Sequence, residues 1–311
     1  MMLSYSCPRC RVVLITQAGA LTCTHCASDF FSLRGVPRFV GHEHYAASFG
    51  VQWNRYVRTQ LDSHSGLSVS RERFFAVTGW PERMEGERIL EAGCGAGRFT
   101  EVLASTGADV WSFDLSNAVE ANFANNGHLP NIHIFQASID AIPFVPGQFD
   151  RVLCLGVLQH TPDPAAAFRS LAAQVRPGGA LAMDVYRKDP AALLQWKYLL
   201  RPITKRLPPE RLYRTVAAVV PGLMPAARYA RRMMGRWGAR LLPIAEYSHL
   251  GLSPELNAEW SVLDTFDMLS PAHDHPQTLA TVRGWFADAG FTGVVVERGP
   301  NGITGRGRRP I

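Results

Sequence analysis

The chain has 311 residues and a net charge of +6, and 47% of its residues are hydrophobic. This composition is typical of a globular protein with one large domain or two, and it excludes a low-complexity or disordered chain. The longest apolar runs fall far short of the roughly 20 residues of a transmembrane helix, and the first residues lack the apolar core of a signal peptide. We therefore expect a cytoplasmic protein.

Residues 1–40 carry four cysteines in two pairs, Cys7 with Cys10 and Cys23 with Cys26. Two residues separate the members of each pair, a spacing that allows tight turns to present four thiolates to one ion. In a reducing compartment these pairs indicate metal ligands rather than disulfides. The segment therefore predicts a zinc ribbon with structural zinc.

Residues 41–88 are predicted to form a helical lead-in to the next domain. Its aromatic side chains, which we expect to be exposed, are Tyr45, Phe49, Trp53, Tyr56, Phe74, Phe75 and Trp80. Phe49, Trp53 and Tyr56 recur at helical spacing, which indicates packing along one face of a helix. The lead-in is also a candidate lid over a bound ligand.

From residue 88 onward, short apolar runs rich in β-formers alternate with helical stretches. The predicted strands span 89–92, 109–113, 132–135, 151–155 and 180–185, and a closing hairpin spans 293–297 and 302–305. The predicted helices span 98–105, 117–125, 164–175 and 276–289. This alternation predicts an α/β fold in which a mostly parallel sheet has helices on both faces.

Residues 187–270 interrupt the alternation with a basic, proline-rich helical insertion. Between Arg187 and Arg240 there are thirteen Lys or Arg and two acidic residues, a local net charge of +11. Three interpretations are open: a cap whose basic side meets a phosphate-bearing small molecule, a nucleic-acid surface, and a peripheral contact with an anionic membrane. We favour the cap, because a single insertion of this size can enclose a substrate pocket.

The first predicted strand of the sheet runs into Gly93, Gly95 and Gly97 just before a helix. Glycines allow a tight turn and a close approach to a ligand, and the start of the helix offers free N–H groups. The spacing differs from the dinucleotide fingerprint. Asp114 ends the next predicted strand, where a carboxylate can accept the ribose hydroxyls of an adenosine.

Four segments, 91–97, 113–116, 149–153 and 176–179, resemble in order the motifs of class I S-adenosylmethionine-dependent methyltransferases. The resemblance implies a seven-stranded, doubly wound, Rossmann-like sheet whose glycine loop faces the methionine part of S-adenosyl-L-methionine. Many relatives carry an acidic residue near the adenine where this chain has Ser138. The candidate cofactor-binding residues are Glu91, Gly93, Cys94, Gly95, Gly97, Asp114, Leu115, Ser138, Ile139 and Leu155.

The cysteine segment and its continuation over residues 29–39 resemble the zinc-ribbon activator of tRNA and protein methyltransferases. They are also similar to the ribbon that precedes a bacterial rRNA guanine methyltransferase domain. Both resemblances point toward RNA-related substrates. The alternative is that the ribbon is structural, since a segment this short needs a metal to fold.

Three ionisable residues are candidates for catalysis. His160 follows the fourth predicted strand, in a loop expected to border the methyl group, and it is either a general base or a brace for that loop. His273 and Asp274 lie in the segment 264–275, whose many ionisable groups indicate a substrate-facing loop.

The sequence thus predicts a zinc ribbon over 1–40, a lead-in over 41–88, a methyltransferase domain over 89–186 and 271–311, and a basic helical cap over 187–270. The predicted function is methyl transfer to a small or glycan-like acceptor, with or without a phosphate group. An RNA methyltransferase (rRNA or tRNA) and a cofactor-binding scaffold that regulates another methyltransferase are the alternatives.

Overall fold

The computed structural model describes residues 3–41, 45–188, 196–235 and 237–311. Part of the predicted lead-in (42–44) and part of the predicted cap (189–195 and Arg236) lie outside the described residues.

In the described part of the chain, five short strands and three helices precede the large sheet. The strands are β1 (Ile15–Gln17), β2 (Ala20–Thr22), β3 (Asp29–Phe30), β4 (Ser32–Leu33) and β5 (Val36–Pro37). The helices are α1 (Ala47–Arg55), α2 (Asp62–Ser65) and α3 (Val69–Thr78). Strands β1 to β3 form one antiparallel sheet and β4 pairs with β5, so the cysteine segment folds into small hairpins.

A seven-stranded sheet forms the centre of the molecule. Its strands are β6 (Arg88–Ala92), β7 (Asp109–Asp114), β8 (Ile132–Gln136), β9 (Phe149–Leu155), β10 (Val175–Val185), β11 (Thr292–Gly299) and β12 (Gly302–Arg308). The helices between them are α4 (Arg98–Ala104), α5 (Val119–Asn126) and α6 (Pro164–Gln174). The strand order is β11-β12-β10-β9-β6-β7-β8; β12 runs antiparallel to β10 and β11 on either side, and all other neighbouring pairs are parallel. The predicted α/β fold is confirmed.

Successive residues of each strand point into different cores on the two faces of the sheet, as the period of two in a strand requires. Leu90 and Trp111 belong to a core that also includes α6 and the ribbon. Ile89 and Val110 belong to a second core with α3 and α4. Helices and ribbon therefore cover both faces of the central strands, so β6 and β7 are largely buried, whereas the edge strand β11 is mostly exposed.

The insertion after β10 contains α7 (Trp196–Thr204), α8 (Pro209–Met234) and α9 (Pro254–Leu269). Helix α8 buries Leu212, Val216 and Val220 against Val262 and Phe266 of α9, which gives the insertion its own apolar core. After the insertion, α10 (Leu279–Asp288) returns the chain to the sheet. None of the described helices is long and apolar enough to cross a bilayer.

Two expectations from the sequence are wrong in detail. The lead-in does not expose all of its aromatic residues, because Phe74 and Trp80 are buried in the second core of the sheet. The segment 264–275 is not a loop throughout, because α9 continues to Leu269. Both differences follow from packing partners that are distant in the sequence.

Candidate active site

The glycine loop joins β6 to α4 in a conformation that only glycine adopts readily. Gly93, Gly95 and Gly97 all have φ between 53° and 93°, in the left-handed region that strains other residues. A Cβ on Gly93 would lie 2.2 Å from a methyl group of Val157. The loop is therefore pressed against the residues after β9 with no room for larger side chains.

Asp114 lies beside this loop, where β7 ends next to β6. Its Oδ2 accepts a hydrogen bond from the Gly95 amide at 3.1 Å, and its Oδ1 accepts from the amide and the hydroxyl of Ser116. These bonds hold the carboxylate at the edge of a cavity. The position and charge fit the ribose hydroxyls of S-adenosylmethionine.

Glu91 lies beneath the loop rather than in the cavity. It is buried, and its Oε2 accepts hydrogen bonds from the hydroxyls of Thr100 and Ser112, both at 2.6 Å. Burial raises the pKa of Glu91 to about 7, although the two hydroxyl donors lower it. The side chain thus connects β6, β7 and α4 below the glycines.

A cavity of about 330 Å³ opens above the loop. The predicted cofactor residues that line it are Gly93, Cys94, Gly95, Asp114, Leu115, Ile139 and Leu155. Gly97 instead packs against Asn122 and Asn126 of α5, where a Cβ would lie 2.2 Å from an amide oxygen. The Ser138 hydroxyl accepts from the Asp140 amide at 3.2 Å and lies outside the lining.

Helix α1 forms one side of the cavity with three residues from a single face. Phe49, Gln52 and Trp53 are spaced at three and four residues and all line it. The indole of Trp53 lies 3.2 Å from the position of a Cβ on Gly95, so it covers the glycine loop. Tyr56 points elsewhere, with its hydroxyl 2.8 Å from that of Tyr213.

Two carboxylates of α9 face α1 across the cavity. Asp264 accepts hydrogen bonds from Gln60 at 2.8 Å, from Trp260 at 3.2 Å and from the Tyr247 hydroxyl, and burial raises its pKa to about 6. Asp267 accepts one long hydrogen bond, 3.4 Å from Gln52 Nε2. Burial raises its pKa as well, against the lowering effect of Arg201.

His160 is part of the cavity wall and is held from several sides. Its Nδ1 is 3.0 Å from the His273 carbonyl oxygen, which can only accept, so Nδ1 carries the hydrogen. The imidazole packs against the rings of Phe49 and Tyr186, at 5.4 Å in each case. Burial lowers the pKa of His160 to about 3. The ring is neutral at physiological pH, and these contacts favour a bracing role over a general base.

His273 and Asp274 lie behind His160, outside the cavity lining. His273 packs edge-on against Tyr45 at 5.3 Å. Asp274 forms an ion pair with Arg201 of α7, and Lys197 Nζ is 3.9 Å from the same carboxylate. This placement favours a structural role for Asp274, since its charge serves to hold α7 against the loop that follows α9.

A further buried acid was missed at the sequence level. Asp184, fully buried in β10, accepts from Arg73 at 2.6 Å, from the Gly156 amide at 2.6 Å and from Asn301 at 3.2 Å. Arg73, Gly156 and Asn301 all line the cavity. The signal that could have found it is a carboxylate in an otherwise apolar strand, because such a group is buried only with partners.

The four ribbon cysteines converge on one point. Each sulfur lies within 4.8 Å of the others, and three sulfur pairs are 3.6–3.7 Å apart. Tetrahedral zinc with Zn–S bonds of about 2.3 Å requires sulfurs about 3.8 Å apart. Each cysteine pair lies in a tight turn. The first turn is closed by a hydrogen bond from Arg11 N–H to Cys7 O and the second by one from Ala27 N–H to Cys23 O, both at 2.9 Å. The set fits one zinc ion.

The family resemblance of this chain lies in its sheet region. Residues 90–183 match the family model described as a methyltransferase domain. The chain is 29% identical over 171 residues to the ubiquinone biosynthesis O-methyltransferase of Alkalilimnicola ehrlichii, an alignment covering 53% of this chain and 69% of that protein. It is 33% identical over 114 residues to the protein of the same name from Pseudomonas aeruginosa, with coverages of 36% and 49%.

Most of these curated relatives are matched over only about half of their own length. Among solved structures, human N-acetylserotonin methyltransferase in complex with S-adenosylmethionine superposes with a TM-score of 0.47 at 14% identity, over 88% of this chain and 61% of that one.

The parallel strands β6 to β10 and the glycine loop with Asp114 at the cavity edge lie in the part of the chain that the family model matches. The antiparallel β12 between β10 and β11 completes that sheet. Residues 90–183 therefore form a methyltransferase domain, and the strand order and glycine loop around it agree with the resemblance of the sequence to class I S-adenosylmethionine-dependent methyltransferases.

Proposed function

We propose that the protein transfers a methyl group from S-adenosylmethionine to a small-molecule acceptor bound between the glycine loop and α9. S-adenosylmethionine supplies a methyl group that its sulfonium charge already activates. The protein therefore mainly aligns the acceptor and excludes water. The cavity is suited to this, because Asp114 borders one side and the carboxylates of α9 border the other.

The proposal rests mainly on the hydrogen bonding of the Asp267 carboxylate. A hydroxyl or amine that attacks a methyl group must be held in line and must lose a proton. Among the described residues, the Asp267 carboxylate receives only the long hydrogen bond from Gln52, so it can accept a hydrogen bond from the acceptor. Burial raises the pKa of Asp267, which makes the carboxylate a better proton acceptor in the reaction.

The cavity wall favours an acceptor without phosphate. None of the described Lys or Arg of the insertion lines the cavity, whereas Asp264 and Asp267 do. Two arginines from outside the insertion also line it, but Arg73 is paired with Asp184, and Arg98 donates hydrogen bonds to Gln60 and Ser70. Lys197 and Arg201 are directed at Asp274. Two carboxylates would repel a phosphate but would accept hydrogen bonds from hydroxyl or amine groups. The O-methyltransferase names of the curated relatives favour a hydroxyl.

The same placement argues against RNA as the acceptor. A phosphate backbone that enters the cavity would meet the carboxylates of α9 rather than the cations of the insertion.

We propose in addition that Cys7, Cys10, Cys23 and Cys26 bind one structural zinc ion, because the sulfur separations fit tetrahedral ligation.

The reaction is tested with S-adenosylmethionine that carries a tritium-labelled methyl group. Purified protein is incubated with the labelled compound and a cell extract, which is then separated into small-molecule, RNA and protein fractions. We expect the label in the small-molecule fraction, in a product stable to mild base as a methyl ether is. Label in RNA would contradict the proposed acceptor, and no transfer to any fraction would contradict the enzyme.

Asp267→Asn tests the role of the α9 carboxylate in the same assay. The change keeps the size of the side chain but removes the proton acceptor, and we expect a loss in kcat/KM of roughly 10²-fold or more. The affinity for S-adenosylhomocysteine should be unchanged in calorimetry. Asp288→Asn, the same change on the exposed side of α10, is the control. Equal activity of the two variants would remove Asp267 from the mechanism.

A further inference from the structure

One surface of the insertion exposes an unusual number of large apolar side chains. We call it the insertion face, and its members are Trp196, Leu199, Ile203, Tyr229, Met233, Met234, Trp237 and Leu241. Between 42% and 67% of the surface of each is exposed. Single exposed apolar residues are ordinary on proteins, but a cluster of this size marks an interaction surface.

The first part of the insertion face is formed by α7. Leu199 and Ile203 follow Trp196 by three and seven residues, so the three side chains lie along one side of the helix. Trp196 Nε1 donates a hydrogen bond to the carbonyl oxygen of Leu241 at 2.9 Å. This bond joins the start of α7 to the segment that follows α8.

The second part is formed by the end of α8 and the turn after it. Tyr229 and Met233 are four residues apart on the outer side of the helix. The chain then folds back so closely that a Cβ on Gly238 would lie 1.9 Å from the carbonyl oxygen of Ala230. Trp237 is thereby held beside the last turns of α8, and the hydrogen bond from Trp196 to Leu241 links this part of the insertion face to α7.

Exposed cations lie on the same elements as these apolar side chains. Lys205 and Arg206 are exposed at the end of α7, Arg232 is exposed on α8, and the Arg240 guanidinium lies 5.8 Å from the ring centroid of Trp237. The sequence has no acidic residue from 196 to 209 or from 211 to 245. Glu210 pairs with Arg55. The insertion face therefore combines apolar area with a positive potential.

This combination selects among the possible occupants. A second copy of the chain in a two-fold contact would place the insertion face against itself and bring cations toward cations. An RNA backbone would neutralise the cations but would leave Leu199, Ile203 and Met233 without apolar partners. An anionic bilayer satisfies both features, because acyl chains receive the apolar side chains while lipid phosphates pair with Lys and Arg.

We propose that the insertion face docks the protein onto anionic lipid bilayers as a peripheral contact. Trp196, Tyr229 and Trp237 supply the amphipathic rings that prefer the headgroup region, and the aliphatic side chains enter just below it. The inner side of α7 meets the cavity wall, since Arg201 donates to the carbonyl oxygen of Met268 at 2.7 Å. The docked surface is therefore one helix away from the acceptor site.

Vesicle flotation tests the proposal with the full chain. We expect the protein to float with vesicles of phosphatidylcholine mixed with phosphatidylglycerol, to float much less with phosphatidylcholine alone, and to be released as salt rises. The double variant Leu199→Ser/Ile203→Ser should bind the anionic vesicles roughly tenfold or more weakly, because binding scales with the apolar area inserted. Arg232→Gln/Arg240→Gln should also weaken binding, but only at low salt.

The matched control is Phe31→Ser/Leu33→Ser, which removes two equally exposed apolar side chains from the ribbon. It should float like the unmodified protein. Circular dichroism and S-adenosylhomocysteine affinity show whether each variant is folded. No flotation with anionic vesicles, or equal losses in Leu199→Ser/Ile203→Ser and Phe31→Ser/Leu33→Ser, would overturn the proposal. So would a dimer in sedimentation that Leu199→Ser/Ile203→Ser dissociates, or salt-sensitive RNA binding without flotation.

Discussion

The carboxyl group of Glu91 is buried among hydroxyls at the point where the glycine loop begins. Its pKa is about 7, against 4.5 for an exposed glutamate. Between these two values the folded protein holds a proton that the unfolded chain releases. Stability from this proton is complete at low pH and is lost as pH rises through about 7. On account of this carboxyl group, the folded state is therefore less stable at neutral pH than at low pH.

We expect the unfolding free energy of the protein to fall by up to roughly 3 kcal/mol between about pH 5 and pH 8 on account of Glu91. Glu91→Gln, which stays uncharged, should show a flatter dependence in urea unfolding at the two pH values. Asp264 contributes in the same direction, so the difference between variant and unmodified protein isolates Glu91. Glu255→Gln on the exposed start of α9 is the control, and an identical slope in Glu91→Gln would refute the effect.

Individual residues differ in how far the sequence could predict them. The place of Asp114 beside the glycine loop was predictable, because neighbouring parallel strands end at the same edge of a sheet. The meeting of four thiols was predictable from spacing alone. Asp267 was not singled out, because its importance depends on Gln52, a residue of α1 more than two hundred positions earlier. Sequence spacing carries no information about such a contact.

At the scale of elements, α1 gives the cavity its aromatic side. Trp53 covers the glycine loop, close to where the methionine part of the cofactor is expected. The sulfonium of S-adenosylmethionine is a cation, and an indole face attracts cations by roughly 0.5–2 kcal/mol. S-adenosylhomocysteine has no such charge. A comparison of the affinities for the two ligands therefore distinguishes a charge interaction with Trp53 from van der Waals contact alone.

We expect Trp53→Leu to weaken S-adenosylmethionine binding roughly 3- to 30-fold more than S-adenosylhomocysteine binding, measured by calorimetry. Trp237→Leu, on the insertion face, should change neither affinity. An equal loss for both ligands in Trp53→Leu would mean that the indole contributes only packing.

The predicted helices agree with the structure where the sequence carries both a periodic apolar pattern and a signal for the start of a helix. Helix α6 begins at Pro164 with Asp163 accepting two amides, as the sequence suggests. Helix α10 begins at Leu279, three residues later than predicted, because Thr278 caps it. The ionisable residues of segment 264–275 wrongly predict a loop where α9 continues to Leu269. The signal that Ser253 and Pro254 start a helix was present, and no glycine or proline interrupts it before Pro271.

At the scale of the whole molecule, the ribbon is part of the main core. Tyr5 contacts the rings of Phe39, Trp111, Phe135 and Phe144 at 4.9–5.6 Å. Two hydrogen bonds add to this packing: Ser6 N–H donates to Pro143 O at 2.8 Å, and Arg11 donates to Ile142 O at 2.9 Å. Loss of ribbon structure would therefore expose apolar surface of the methyltransferase domain.

We expect about one zinc ion per chain, and its removal by a chelator should lower the Tm of the entire protein by roughly 5–10 °C in a single transition. Cys10→Ser/Cys26→Ser should reproduce the loss of metal and of stability. Cys94→Ser, outside the ribbon, should retain the metal. Two separate unfolding transitions would show that the ribbon is an independent unit, and a metal-free ribbon with unchanged Tm would contradict the zinc site.

The contact between the ribbon and the sheet also fixes an order of events during synthesis. Tyr5 leaves the ribosome roughly a hundred residues before Trp111, and at ~5–20 residues per second this delay is about 5–20 s. For that time the ribbon has no sheet to pack against. Metal capture by the two cysteine pairs needs only residues 7–26, so it can be complete before docking begins. The two cysteine pairs would then already hold their metal, with the thiols protected from oxidation, when the sheet residues arrive to complete the packing of the ribbon.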